Sequence, residues 1–457
     1  MFPRVPLDDA NSTHSRRTGQ PGTAAPLSTL RCNPATAQKS PHVNRQTPNQ
    51  TVQSSRCKHS HPPRKNTSRT WQQRKLGELG FTYSGLSGKN KSDFGHGSAY
   101  FVTYLNVFSN PIADCYGIEA VEIDDKQHKV ITGDIFFTAS SETPEDVGMT
   151  SLWLGAQDNL YLNSFCFGYR MTANHNSIFM AYSLRSPQFR SKIQLLAQGI
   201  SRFNISKKKV MELISTFPSL SEQIRIAKFF RVLDDLIAAA KKKADLLKLK
   251  KRYYLQAIFS QHLRFKGFTK PWQQRKLGDV CKVSKNINKT QYSQSDVLSV
   301  SRDAGVVNQV QYQGRSFASN DLSRYRTVTP QSLIYTKSPL KVAPYGIMIS
   351  SHVHGIVSPL YAVYQCPNNY NHFLSYFFSS SATLNNYLKP LVAKGAKNTI
   401  NVSDCDAANG MVPYVNAEEV DAIVFIFQIL DTLIEEVKDK HDLICRKKAF
   451  FLQKMFV

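Results

Sequence analysis

Four short polar stretches carry side chains able to touch a polyanion. GKNKSDFGHG supplies Lys89, Asn90, Lys91 and His96, and a loop farther along supplies Ser140 and Ser141. TKSPLK carries Lys337 and Lys341, and KGAKN carries Lys394, Lys397 and Asn398. Arg202 follows Gln198 in QGISRFNIS. On protruding loops, basic side chains fix register on phosphates, and bidentate Arg, Asn or Gln contacts read base edges. An ordinary solvated loop has the same composition, so the group carries more weight than any one member. Gln198 and Arg202 suit DNA contact and bracing of their own domain equally.

Groups that would make the chain catalytic are missing. No G-x-x-x-x-G-K-[ST] phosphate loop occurs, and GLSGKNKS at 85–92 lacks the spacing. No N-P-P-[YF] amino-methyltransferase motif occurs either, and APYG at 343–346 does not replace it. His352 and His354 lie two apart in SSHVHG, which on a strand puts both on one face. A metal site needs further ligands, and Cys57, His59 and His61 are likewise too few and too close for closed zinc coordination. Asp134 in TGDIFF suits a turn better than nuclease chemistry, because Ser332 stands at the corresponding place in TPQSLIY. No catalytic or metal-binding residue is assigned.

The elements that would hold the polar stretches follow from composition and repetition. Across 457 residues, 58 Lys and Arg face 33 Asp and Glu, a formal +25 that points to an anionic partner, nucleic acid first. Residues 1–70 hold 11 Lys or Arg against Asp8 and Asp9 alone, so +9 of the excess belongs to this stretch. Rich in Ser, Thr, Pro, Asn and Gln, residues 1–68 show no apolar periodicity and read as a disordered basic leader, or as a misassigned start. Eight cysteines without a C-x-x-C pair read as reduced thiols. No signal-peptide core and no stretch of ~20 apolar residues is present, so a soluble, cytoplasmic protein is expected.

An internal repeat organises the remainder. WQQRKLG occurs at 71–77 and again, letter for letter, at 272–278. The segment 222–259 aligns without gaps to 419–456, matching Leu233, Asp234, Leu236 and Ile237 to Leu430, Asp431, Leu433 and Ile434. Farther on, Lys250, Lys251, Leu255, Gln256 and Phe259 match Lys447, Lys448, Leu452, Gln453 and Phe456. Apolar residues recur in steps of four and three, through Phe229, Leu233, Leu236, Ala240, Leu247 and Tyr254 in one copy. The other copy has Ile426, Leu430, Leu433, Val437, Ile444 and Phe451. This spacing predicts two helices, each roughly 57 Å long at ~1.5 Å per residue, whose stripes pair in an antiparallel coiled coil interrupted by Lys243, Lys250, Lys440 and Lys447.

The expected organisation is a leader at 1–68, a mixed α/β (α+β) domain at 69–216, a first long helix at 217–262, a second such domain at 263–412 and a second long helix at 413–457. The scaffold is duplicated while the two domains differ in sequence. A basic run, KKKADLLKLKKR at 241–252, reads mainly as a solvated helix face.

This layout over 71–457 resembles the specificity subunit of type I restriction-modification systems. The signatures are P-x-L-x-E-Q at Pro218 to Gln223, L-D-x-L-I in each helix, the terminal L-Q-x-[IM]-F, and TASSETPEDVG and YLNSFCFGYR in the first domain. The second helix begins VPYVNAEEV, where Pro413 alone is retained and the cap is expected to be weaker. The resemblance implies a non-catalytic chain whose two target-recognition domains bind a bipartite double-stranded DNA target. It implies two methyltransferase subunits docked on the helices, motor-nuclease restriction subunits joining them, and S-adenosylmethionine, ATP and Mg2+ on those partners. The competing reading is a basic coiled-coil RNA-binding or adaptor protein.

Overall fold

The computed structural model describes residues 71–337, 343–394 and 400–456. The leader expected at 1–68 lies outside them.

Domain 1 is closed by its own copy of the repeated heptapeptide. Gln72–Lys75 (β1) pairs antiparallel with Ile214–Phe217 (β6), Gln72 opposite Phe217, so the chain is pinned immediately before it enters the long helix. Between them, Gly80–Ser84 (β2), Ile135–Thr138 (β3), Thr150–Leu152 (β4) and Cys166–Met171 (β5) form a sheet in the order β2-β5-β3-β4, all antiparallel. Aromatic and β-branched runs such as IFFT suit a buried strand. Phe137 and Phe167 stack at 5.0 Å in the core, and helix α1 (Ser177–Ser183) buries Phe179, Met180 and Tyr182. Gly168 on β5 lets the Tyr83 ring cross the sheet, since a Cβ there would sit 2.0 Å from Tyr83 Cζ.

Domain 2 repeats the plan. Gln273–Lys276 (β7) pairs with Met411–Tyr414 (β12), and Lys282–Val283 (β8), Ser332–Thr336 (β9), Ile347–Ser350 (β10) and Tyr361–Gln365 (β11) are ordered β8-β11-β9-β10. Registers match as well: Ile135 faces Tyr169 in domain 1, and Leu333 faces Tyr364 in domain 2. Helix α3 (Tyr370–Phe377) takes the place of α1. Mainly antiparallel sheets with flanking helices, together with one parallel pairing of Phe94–Val102 and Leu160–Leu162 in domain 1, make the fold α+β.

The cysteines correct one expectation. Cys281 and Cys366, 85 residues apart, are joined by a disulfide with Cα atoms 4.3 Å apart. Cys281 directly precedes β8 and Cys366 directly follows β11, and antiparallel pairing of these strands brings them together. Sequence spacing carries no trace of such a neighbour.

Two long helices, Leu220–Phe259 (α2) and Ala417–Met455 (α4), run antiparallel and complete both cores. The start of α2 and the end of α4 enter the core of domain 1 through Ile226, Phe230 and Phe456. The end of α2 and the start of α4 enter domain 2 through Ile258, Phe259, Val424 and Phe427. Aromatic rings mark both junctions: Phe456 lies 5.7 Å from Phe230 and 6.5 Å from Trp71, and Phe259 lies 6.4 Å from Phe427 and 6.2 Å from Trp272.

Burial shifts one column of the expected seam. Leu233, Leu247 and Tyr254 in α2 are sheltered, as are Ile426, Leu430, Ile444 and Phe451 in α4. Leu236 and Leu433 instead keep 44% and 38% of their surface exposed, while Phe229, 36% exposed, still meets Phe451 of α4 edge-on at 5.0 Å as the seam requires. The alternating column is Phe230, Ile237, Ala244, Lys251 and Ile258, matched by Phe427, Ile434, His441, Lys448 and Met455. Apolar doublets such as Phe229-Phe230 and Leu236-Ile237 satisfy either phase, and packing chooses the second residue. Lys243, Lys250, Lys440 and Lys447 are exposed and do not interrupt the seam. The second helix is also fully capped: the Asn416 side chain accepts from Glu419 N at 3.0 Å, whereas Ser219 caps α2 at 3.4 Å from Glu222 N.

Candidate nucleic-acid interface

In domain 1 the structure divides the expected contact residues. Lys89 Nζ pairs with Asp124 at 3.3 Å, and Asn90 closes a capping box with Asp93. His96 is exposed, with Nε2 2.7 Å from the Ser92 carbonyl and Nδ1 3.8 Å from Glu122. Lys91 is exposed and makes no ion pair or hydrogen bond among the described residues. Ser140 and Ser141 do not form a protruding loop: they pair with Phe203–Asn204 as a buried strand, 6% and 5% exposed. Arg202 is exposed and lies 5.3 Å over the Phe165 ring, while the Gln198 backbone exchanges both hydrogen bonds with Asn204.

Asp134 has a structural role. Its buried carboxylate accepts from Arg170 Nε at 2.9 Å and Nη2 at 2.7 Å, from the Tyr83 hydroxyl at 2.7 Å and from Ile131 N at 2.9 Å. Burial, and then the adjoining carboxylate, push the Tyr83 phenol up, so it stays a neutral donor.

In domain 2, Lys337 sits 2.5 Å from Asp404 Oδ1, and Arg326 holds the second oxygen of the same carboxylate. Lys341, Lys397 and Asn398 lie outside the described residues, and Lys394 ends a two-residue strand, Ala393–Lys394. His352 stacks on His372 at 4.4 Å, and His372 Nδ1 lies 2.9 Å from Ser350 Oγ. Burial, assisted by His352, lowers His372 to about 4. Since this is below the ordinary 6.5, the unfolded chain takes the proton first as the pH falls, so the stabilisation present above pH 6.5 is lost toward pH 4. Acidification from pH 7 to 5 is expected to destabilise domain 2 by about 1–2 kcal/mol through this residue. His372→Gln should flatten that part of the stability–pH curve, and an unchanged curve would remove the assignment.

What orients the domains was missed as a contact in the sequence, although its aspartates and lysines stand in the repeat. Asp234 on α2 pairs with Lys448 on α4, and Asp431 on α4 pairs with Lys251 on α2. Each carboxylate also accepts a hydroxyl from its own domain: Tyr182 on α1 at 2.6 Å from Asp234, and Tyr376 on α3 at 3.0 Å from Asp431. Each lysine lies over the same tyrosine, Lys448 5.4 Å from the Tyr182 ring and Lys251 5.2 Å from that of Tyr376. The aspartates and lysines of the two Tyr–Asp–Lys clasps are related by the repeat offset, the tyrosines come from corresponding domain helices, and each clasp fastens its domain to both helices.

Among the described residues, no helix is long and apolar enough to cross a membrane, and no three His, Cys, Asp or Glu side chains converge as metal ligands. No family model matches the chain. A Methanocaldococcus jannaschii protein assigned as the MjaX type I restriction enzyme specificity subunit is 23% identical over 418 residues, covering 83% of this chain and 91% of that one. The crystal structure of a type I restriction-modification S subunit from M. genitalium superposes with a TM-score of 0.54 at 14% identity, over 86% of this chain and 98% of the other. The HsdS subunit of Thermoanaerobacter tengcongensis gives 0.45 at 17% identity, over 87% and 98%. Two domains of one plan, set on a pair of antiparallel helices, give this chain the fold of the M. genitalium S subunit along nearly the whole of that protein, and its sequence is similar to that of the M. jannaschii protein.

Proposed function

We propose that the chain is the non-catalytic specificity subunit of a type I restriction-modification complex, reading a bipartite double-stranded DNA target. The observation that carries this reading is the pair of diverged domains fixed on one duplicated helical scaffold. From Phe230, in the core of domain 1, to Phe259, packed against that of domain 2, α2 rises roughly 43 Å at ~1.5 Å per residue. That exceeds one duplex turn of about 34–36 Å, so two half-sites with an uncontacted spacer suit the geometry. The adaptor alternative finds no support in the relatives.

Methyltransferase subunits, two in number, would dock on the helices and restriction subunits would join them. Both helices carry an apolar stripe that neither domain covers. Val232, Leu236, Leu246 and Tyr253 on α2 correspond to Ile429, Leu433, Leu443 and Phe450 on α4, all of them 37–63% exposed. Exposed stripes of this length mark partner surfaces. S-adenosylmethionine, ATP and Mg2+ belong on the partners in this reading, and the assembly would act in the cytoplasm. Leu246→Glu with Tyr253→Glu is expected to abolish co-purification of a cognate methyltransferase subunit while leaving the circular-dichroism melt of the chain unchanged. Retained co-purification would place the docking surface elsewhere.

The decisive test is methylome sequencing of a host expressing the chain with its cognate methyltransferase subunit. A bipartite methylated motif should appear, and exchanging residues 78–216 should change one half of it. A continuous motif, or a motif unaffected by the exchange, would overturn the two-reader assignment.

A further inference from the structure

Two clefts occupy corresponding places in the two domains. In domain 1 a cleft of about 580 Å³ runs between Ser84, Ala139, Ser164, Lys207 and Lys208. In domain 2 one of about 550 Å³ runs between Lys285, Arg324, Arg326, Lys337, Pro359 and Asp404. The repeat offset from WQQRK sets Ser84 against Lys285, and the common strand register sets Ala139 against Lys337 and Ser164 against Pro359. NIS and NVS, ending at Ser206 and Ser403, set Lys207 against Asp404.

Charge at these positions has changed place while its sign over each cleft has not. Ser84 corresponds to a lysine, Ala139 to a lysine, and Lys207 to an aspartate. Domain 1 nonetheless presents Lys207 and Lys208 with no acid among the lining residues. In domain 2, four cations surround one carboxylate, and that carboxylate is already held by Arg326 and Lys337. Lys285 and Arg324 are left exposed, with no ion pair or hydrogen bond among the described residues, and Ser323 and then the nearby Arg324 lower the carboxyl of the exposed Asp321. Lys208 is exposed with no ion pair or hydrogen bond among the described residues, and Lys207 donates to Ser84 Oγ at 2.7 Å. A small ligand recognised by hydrogen-bond geometry would need the same donors in both clefts. A phosphodiester backbone needs only positive charge at the right height, because phosphate contacts position a protein without reading sequence.

We propose that these paired clefts are the backbone seats of the two domains, each holding phosphates of duplex DNA, with Lys285 and Arg324 in domain 2 and Lys208 in domain 1 as the contacting cations. Asp404 pairs with both Arg326 and Lys337 and so fixes the wall of the seat; Lys337 is therefore a positioning residue and not a base reader. The assignment rests on the DNA-reading function proposed above and divides labour within it, leaving base discrimination to other loops.

The test titrates the full chain with a labelled duplex lacking any recognised site, over a series of KCl concentrations. Each phosphate contact contributes roughly 0.9 to the slope of log K against log[salt]. Lys285→Ala with Arg324→Ala is expected to make the slope shallower by about 2, and Lys208→Ala by about 1. The affinity loss should be the same on recognised and unrelated duplexes. Lys241→Ala with Lys242→Ala, on exposed α2 lysines away from both clefts, should leave the slope unchanged. If the unaltered chain binds and the cleft variants keep its slope, the backbone assignment alone falls. It falls also if the variants change sequence preference instead, or if the α2 control loses as much. If the unaltered chain binds no duplex, the DNA-reading function falls with it.

Discussion

Arg264→Ala is expected to destabilise the second domain by about 3–5 kcal/mol, the usual result of stranding a buried charge. Arg264 belongs to the connector RFKGFTKPW between the first helix and domain 2. Its Nε and Nη2 donate to the two oxygens of Glu419 at 3.0 and 2.7 Å, and its Nη1 donates to the Lys270 carbonyl at 2.8 Å. Glu419 is 3% exposed at the first turn of α4, so without the guanidinium its carboxylate has neither water nor a counter-ion. A helix N-terminus offsets a carboxylate by only ~0.3–1 kcal/mol at exposed sites, too little to compensate. Replacing both partners by apolar residues, Arg264→Met with Glu419→Leu, should recover most of the loss, because the paired charges are costly to bury in the first place. Chemical unfolding followed by Trp272 emission reads the change locally, since the Arg264 guanidinium carbon lies 6.0 Å from that ring. A single-variant loss below about 1 kcal/mol would mean that the pair is solvated in solution.

Phe230→Ala and Phe427→Ala are each expected to cost about 3–5 kcal/mol, but in different domains. Both rings are 0% exposed and occupy matched positions of the repeat. Phe230 packs on Tyr182 at 5.0 Å and on Phe456 at 5.7 Å, so its loss opens a void between α1 and the end of α4. Phe427 packs on Tyr376 at 4.9 Å and faces Phe259 at 6.4 Å, so its loss opens the other junction. Hydrogen exchange should therefore accelerate in 177–183 and 450–456 for the first variant, and in 370–377 and 252–259 for the second. Acceleration of both ends by either variant would show that the helix pair unfolds as one unit rather than domain by domain.

These junctions explain how a chain can diverge in its domains and keep its geometry. Each domain touches the scaffold through an aromatic cluster and a Tyr–Asp–Lys clasp, and the helix-borne parts of both lie in the repeated segment. Much of the domain surface is then free to change. The two clefts illustrate the result, since their charges have moved while the framework registers have not.

The duplication, the two long helices and the mixed domains between them are legible in the amino-acid sequence alone. Those features are one-dimensional: a repeated heptapeptide, a run free of Gly and Pro, and apolar steps of three and four are visible without knowing any neighbour. Tertiary structure decided everything that depends on which neighbour a side chain meets. One residue along a helix is a rotation of about 100°, so the Phe229-Phe230 and Leu236-Ile237 doublets left the more deeply buried member open until packing sheltered Phe230 and Ile237, with Phe229 kept at the edge against Phe451. Strand pairing buried Ser140 and Ser141 and joined Cys281 to Cys366, and folding tied Lys89 to Asp124 and Lys337 to Asp404. Long-range contacts of this kind leave no local pattern in the sequence, because their partners are chosen by the register of strands and the rotation of helices brought together only in the folded chain.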